Sequence, residues 1–436
     1  MNRITSIAAL VGALLCCAAL LGVESWARWN SDLALYGATL VQAALALGAA
    51  RIAMANPGRA TMALVFGGAI ALRLGALVQI PLLSIDAYRY VWDGRLVLNG
   101  FNPYLHVPAD PALAYLRDRA IYPLVNQKEL AVANYPPVAV GLFALIDLAG
   151  QGVTMMRVAM LGFEALAVAG LLSLMKRLDV RREWILAYLW HPAPIWEFAN
   201  NGHVDAAMLG LLVAGVAWGE AAGRPYRGGL SMALGALTKP YGALWFPAVW
   251  RPFDWRLPAF VLAVAALSYA PVLLGGGGVL GFLPGYVHQL RLDSGRGFLF
   301  PYLALKFGAP AWINAAFLAG VVGLLAAAIA FMLSRRDRDL RTRIGEAGTL
   351  SIGLLFLLTP VFPWYFALAY PFFVLCGSWT AFAMMTTGFW LYNFNFDRPE
   401  FHLRWAAMTA VIAVGAVVDV ARALRARPAP QPSLSL

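Results

Sequence analysis

Apolar stretches long enough to cross a bilayer as helices, roughly 18 residues each, recur from one end of this chain to the other. They predict spans at 4–23, 33–54, 61–82, 156–175, 184–199, 205–222, 257–274, 311–333, 345–359, 364–377, 379–393 and 404–424. Two further stretches, 137–150 and 229–250, read as shallow or re-entrant elements, because that keeps the neighbouring basic clusters Lys176–Arg182 and Arg251–Arg256 on one side. The pattern predicts an all-α polytopic membrane protein, a bundle of about 12 transmembrane helices (roughly 11–14) forming one domain over 1–425. The longest polar interval, Ser84 to Ala133, is an outer loop carrying juxtamembrane helices. Asn99-Gly-Phe-Asn-Pro-Tyr104 breaks the first of them with Gly and Pro. Residues 275–300 make a second outer loop and 359–365 an outer turn, while the Pro-rich 426–436 reads as a disordered cytoplasmic tail.

Composition supports the membrane class: of 436 residues, 61% are hydrophobic and 13% charged. The net charge of +11 raises nucleic acid as a partner only until positions are read. Lys176, Arg177, Arg181 and Arg182 form one cluster and Arg335, Arg336, Arg338, Arg341 and Arg343 another, with Arg422, Arg425 and Arg427 closing the chain. All flank apolar segments, where cytoplasmic anchors belong, so no nucleic acid partner is expected. With the N-terminus inside and the first span uncleaved, 84–133 faces outward, balancing five basic against five acidic residues. Cys16, Cys17 and Cys376 all lie in apolar segments and imply no disulfide framework.

Asp86 and Asp93 are the leading chemical candidates. In a helix they share a face with Arg89 and Tyr90, so one acid can serve as general base while Arg89 or Arg95 orients it or binds phosphate. The plainer alternative is a surface helix whose acids and arginines pair with each other. Asn200-Asn-Gly-His-Val-Asp205 joins two spans; Asp205 is either a helix-start residue or a functional acid. His203 and Asp205, even with Glu197 nearby, are too few ligands to argue for a metal. Lys239 lies in an apolar stretch, where a cation needs a counter-charge, a lipid phosphate, or a route for snorkelling to the cytoplasmic interface. Arg73 and Glu164 also fall inside spans, where they can pair.

Asp86-Ala-Tyr-Arg-Tyr-Val-Trp-Asp-Gly-Arg95 with Gly100-Phe-Asn-Pro-Tyr104 resembles the first outer loop of bacterial GT-C glycosyltransferases. Among these the chain is most similar to polyprenol-phosphate-mannose-dependent mannosyltransferases. Leu116-Arg-Asp118, Val125-Asn126, Tyr135-Pro-Pro137, Asn201-Gly-His-Val-Asp205, Thr238-Lys-Pro240 and Pro363-Trp-Tyr365 follow in the same order, over about residues 60 to 375. One departure is Phe362, where the family pattern often has His; His203 or His288 could supply that contact.

The resemblance implies an inverting enzyme of the bacterial cytoplasmic membrane with its site on the outer side. It would move a sugar, mannose by family likeness, from a polyprenyl-phosphate donor to a lipid or glycan hydroxyl. Asp86 matches the family's base, with Asp93 second. Substrate contacts would come from Arg89, Tyr90, Arg95, Asn102, Tyr104, Tyr135, His203 and Asp205, with Lys239, His288, Arg291, Arg296, Trp364 and Tyr365 across the site. No cofactor or metal is called for, and no GxGxxG or P-loop motif serves a nucleotide. Two rivals remain: a transporter or flippase using Arg73, Glu164 and Lys239, and a GT-C enzyme for another sugar.

Overall fold

The computed structural model describes residues 3–220, 223–250, 254–335 and 338–425, and among these the chain is helical with no strand. Arg251, Arg336, the tail 426–436 and the end of the 205–222 stretch lie outside the described residues. The main apolar core runs from Leu10 to Ile412, and a small second cluster joins Tyr104, Ala133, Val140 and Val272.

Seven of the described helices are long and apolar enough to cross a membrane: Arg3–Asn30, Asp32–Ala55, Arg59–Leu77, Val153–Arg177, Arg256–Leu274, Ile313–Ser334 and Pro399–Arg425. Pro192–Asn200 and Asp205–Gly219, bent by 113° at the break between them, count as an eighth if taken as one span. The expected dozen is not reached on this measure, and the shortfall has physical causes. Leu340–Leu358 is long enough but carries Arg341, Arg343 and Glu346. The 364–377 and 379–393 stretches are built from short helices and 3-10 turns, divided by Gly377 in the left-handed region at φ 63°. The 184–199 stretch is interrupted where Pro192 and Pro194 remove backbone donors.

Hydrogen bonds sort the turns into two ends. At one, the basic clusters cap helix carbonyls: Arg181 donates to Met54, Arg341 to Leu178, Arg338 to Trp250 at 2.6 Å and Arg422 to Gly377 at 2.8 Å. At the other, Arg28 donates to the Leu82 carbonyl at 3.0 Å, and the Asn200 and Asn201 side chains accept from the Leu82 and Leu83 amides. The 84–133 interval sits at this second end.

The two irregular stretches explain how the site is assembled. Pro137–Ala149 has only 13 residues and lies along Asp86–Leu98, so close that a Cβ at Gly94 would stand 2.6 Å from the Phe143 carbonyl oxygen. Gly94→Ala should therefore lower the melting temperature, by a loss of about 1–3 kcal/mol, since two backbones must separate. An unchanged melt would show that the contact is not held. Pro225–Ala236 runs inward for 12 residues, about 18 Å, and the chain then turns at Thr238-Lys239 and returns through Pro240–Trp245 and Phe246–Val249. Both limbs end near each other: Gly229 abuts Leu257, a few residues beyond Trp250. The result is a hairpin with Lys239 at its tip.

Arg73 and Glu164 do pair. Arg73 Nε and Nη2 donate to the two Glu164 oxygens at 2.8 and 2.5 Å, and Tyr188 adds a bond at 3.2 Å. Such a satisfied, buried pair ties helices together and leaves little to line a transport path.

Candidate active site

Helix Asp86–Leu98 starts where the Asp86 amide donates to Ser84 Oγ at 3.2 Å, and stops at Asn99, with Gly100 at φ 78°. The expected shared face exists, but its residues have separate fates. Asp93 is 1% exposed and takes the Arg89 Nε–H at 2.8 Å, while Arg89 Nη2 donates to the Ala131 carbonyl at 3.0 Å. Burial pushes the Asp93 carboxyl above its ordinary value, against the pull of Arg89. Arg95 is held by the Leu116 carbonyl at 3.0 Å and by Asp118. Both arginines expected at a phosphate are thus engaged inside the loop. Asp86 is only half-buried, with one oxygen accepting from Asn126 Nδ2 at 2.7 Å. Of the two acids, it alone is open to a substrate.

Lys239 meets this loop from the hairpin tip. It does not snorkel: the side chain is 7% exposed, with Nζ 3.2 Å from Asp205 Oδ2. Its ammonium also faces the rings of Tyr365, Tyr135 and Tyr241 at 5.1, 5.2 and 5.9 Å. Asp205 does open a helix, Asp205–Ala214, and it also accepts the Tyr241 hydroxyl. Tyr90 and Tyr135 share a hydroxyl contact at 3.1 Å, Tyr286 and Tyr365 one at 2.7 Å. The Asp86 charge lies within electrostatic reach of Lys239, Tyr135, Tyr286 and Tyr365. Two acids, one cation and several phenol rings thus converge, a lining suited to a hydroxyl-rich ligand. Beside them opens a cavity of about 150 Å³ lined by Tyr241, Tyr286 and Tyr365 and by apolar side chains that include Leu290, Leu354 and Leu358. Three phenol rings set among apolar side chains suit the junction of a polar head and a hydrocarbon tail.

The other expected contacts lie around this centre or apart from it. Asn102 donates to the Val272 and Gly275 carbonyls, both at 3.3 Å, and Tyr104 to the Tyr135 carbonyl at 2.5 Å. The Asn102 bonds brace the start of the 275–300 segment on the 84–133 interval, and the Tyr104 bond ties that interval to the entry of Pro137–Ala149. His203 is fully buried, its Nδ1 3.1 Å from Glu197 and its ring edge-on to Trp364 at 4.3 Å. Phe362 stacks on Trp364 at 4.6 Å and meets Phe394 edge-on, so its position is apolar. His288 is 84% exposed and pairs with Asp293. Arg291 pairs with Asp397 and, with Arg296, lines a different cavity. Among the described residues no three His, Cys, Asp or Glu side chains gather to hold a metal.

Sequence reasoning missed Tyr241 and Tyr286 as site residues. Tyr241 had a signal, two places after the conspicuous lysine. Tyr286 had none, because its partner Tyr365 lies 79 residues away.

Comparison with known proteins adds one finding. Residues 4–251 match the family model described as alpha-(1->6)-mannopyranosyltransferase, N-terminal domain. That region contains Asp86, Asn126, Tyr135, Asp205, Lys239 and Tyr241. No curated protein and no solved structure matches the chain. With more than half of its length matched, including the acid, the cation and most of the ring of tyrosines, the chain belongs to the alpha-(1->6)-mannopyranosyltransferase family.

Proposed function

We propose that this protein moves mannose from a polyprenyl-phosphate donor to a hydroxyl of a lipid or glycan acceptor, at the outer face of the bacterial cytoplasmic membrane. The observation that carries the reading is an open carboxylate, Asp86, on the helix whose Tyr90 meets Tyr135, the ring that faces the buried ammonium of Lys239, beside a cavity lined by tyrosines and apolar side chains. Asp86 takes the proton of the acceptor hydroxyl as its oxygen attacks the anomeric carbon. The bond from that carbon to the phosphate oxygen breaks, its electron pair stays on the phosphate, and the configuration inverts. Lys239 stabilises the charge that grows there. One base suffices, because the phosphate leaves as a stable anion and needs no general acid to protonate it, unlike the leaving oxygen in a glycosidase. The tail lies in the groove past Leu290 and Leu358, and Arg89 and Arg95 hold the loop in shape. Support for the outer face comes from the arginine clusters, which cap the opposite end of the bundle.

The test supplies purified protein with polyprenyl-phosphate mannose, glucose, galactose or arabinose and an α-mannoside acceptor, with and without chelator. Mannose transfer that survives chelation is expected. Transfer of another sugar alone would keep the chemistry and overturn the donor. Loss of activity with chelator would assign the phosphate to a metal, and no transfer from any donor would overturn the reading.

A further inference from the structure

A second cavity, of about 640 Å³, lies between Leu299–Lys306 and the start of Pro399–Arg425. Its charged lining is Arg291, Arg296, Lys306 and Asp397, with His402 stacked on Tyr302 at 4.1 Å. Arg291 is answered by Asp397 at 2.9 Å. Arg296 and Lys306 have no ion-pair partner among the described residues, so the cavity holds two uncompensated positive charges. Its remaining walls include Leu303, Leu305, Phe396 and Leu403. Nearby Phe307, Leu403 and Trp312 are 85, 73 and 65% exposed, an apolar flank that in a membrane protein meets lipid.

The loop around 290–298 is a partition. Leu290, Leu292 and Gly297 line the groove beside Tyr286 and Tyr365, while Arg291 and Arg296 line this cavity. A ligand leaving the groove therefore has a cationic compartment next to it.

We propose that this cavity receives the spent carrier, a polyprenyl phosphate, once its sugar has left. The inference rests on the transferase reading above. Transfer converts a phosphodiester with one negative charge into a phosphomonoester, which carries about 1.5–2 near neutral pH. At the reaction centre Lys239 is already paired with Asp205, so the centre suits the singly charged donor. Two free cations next door suit the product. The change in charge thus draws the carrier out of the groove and clears it for the next donor, and the exposed apolar flank accommodates the tail.

The experiment measures direct binding to the full-length protein in lipid nanodiscs. Farnesyl phosphate is the probe, and phosphatidylglycerol and inorganic phosphate are the competitors. Farnesyl phosphate should bind, and the pair Arg296→Gln/Lys306→Gln should weaken it at least tenfold, while Lys306→Arg keeps it. Binding should persist in Asp86→Asn protein, so this result stands or falls separately from turnover. Unchanged affinity in the double variant, with a wild-type melting temperature, would overturn the proposal. Preference for phosphatidylglycerol would make this a bilayer-lipid site instead. Equal competition by inorganic phosphate would make it a simple anion site. If the double variant melts early, loss of binding in either single Gln variant with normal melting decides in favour, and its retention in both decides against.

Discussion

Asp86→Asn protein should fold, insert and melt like the wild type, yet transfer sugar about 10²–10⁴-fold more slowly, the span expected for loss of a general base. The carboxamide keeps the oxygen that accepts from Asn126, so the loop retains its hydrogen bond at that point. What disappears is the ability to take a proton. No ion pair of Asp86 is broken, and its half-buried position makes a neutral replacement mild. Asp93→Asn is the informative contrast. It should act mainly on stability, because the buried Arg89 guanidinium then loses its counter-charge and keeps only neutral acceptors. Initial rates and melting curves on both variants check this. Wild-type turnover from Asp86→Asn would remove it as the base, and a pure rate defect in Asp93→Asn would promote Asp93.

Lys239→Gln should show two separable losses. The Asp205 carboxylate, fully buried, loses its cation, which should cost about 3–5 kcal/mol of stability. The rate should also fall by about 10²–10³, the usual effect of deleting a group aimed at developing charge. Adding Asp205→Asn removes the stranded anion and separates the two. The double variant should recover most of the melting temperature and none of the rate. Recovery of both would reduce Lys239 to a structural partner of Asp205. The carboxamide introduced by Asp205→Asn still offers the Tyr241 hydroxyl an oxygen, so the ring of phenols is kept.

The parts of this site that local pattern could reveal were legible. The helix over 86–98, its stop at Asn99-Gly100, the face shared by Asp86 and Asp93, and the turn at 200–205 all follow from spacing and from Gly and Pro. So did the suspicion about Lys239, since a cation in an apolar stretch demands an explanation. What could not be read was which charges were already spent. Arg89 and Arg95 looked like phosphate ligands, but their partners include Ala131 and Asp118, 42 and 23 residues away. Sequence position alone allows Lys239 to snorkel, and only the fold supplies Asp205 and three phenol rings instead.

By itself, then, the sequence determined the helical membrane class, the long polar interval and the residues with chemical potential, because hydropathy and helical period act over a few neighbouring positions. The tertiary structure decided which acid stays open, which partners hold Lys239 and which side chains line the cavity beside them. It also decided where helices end, because prolines and a left-handed glycine break segments that look continuous as composition. Burial and pairing of a charge depend on groups brought from distant parts of the chain, and no local pattern encodes those.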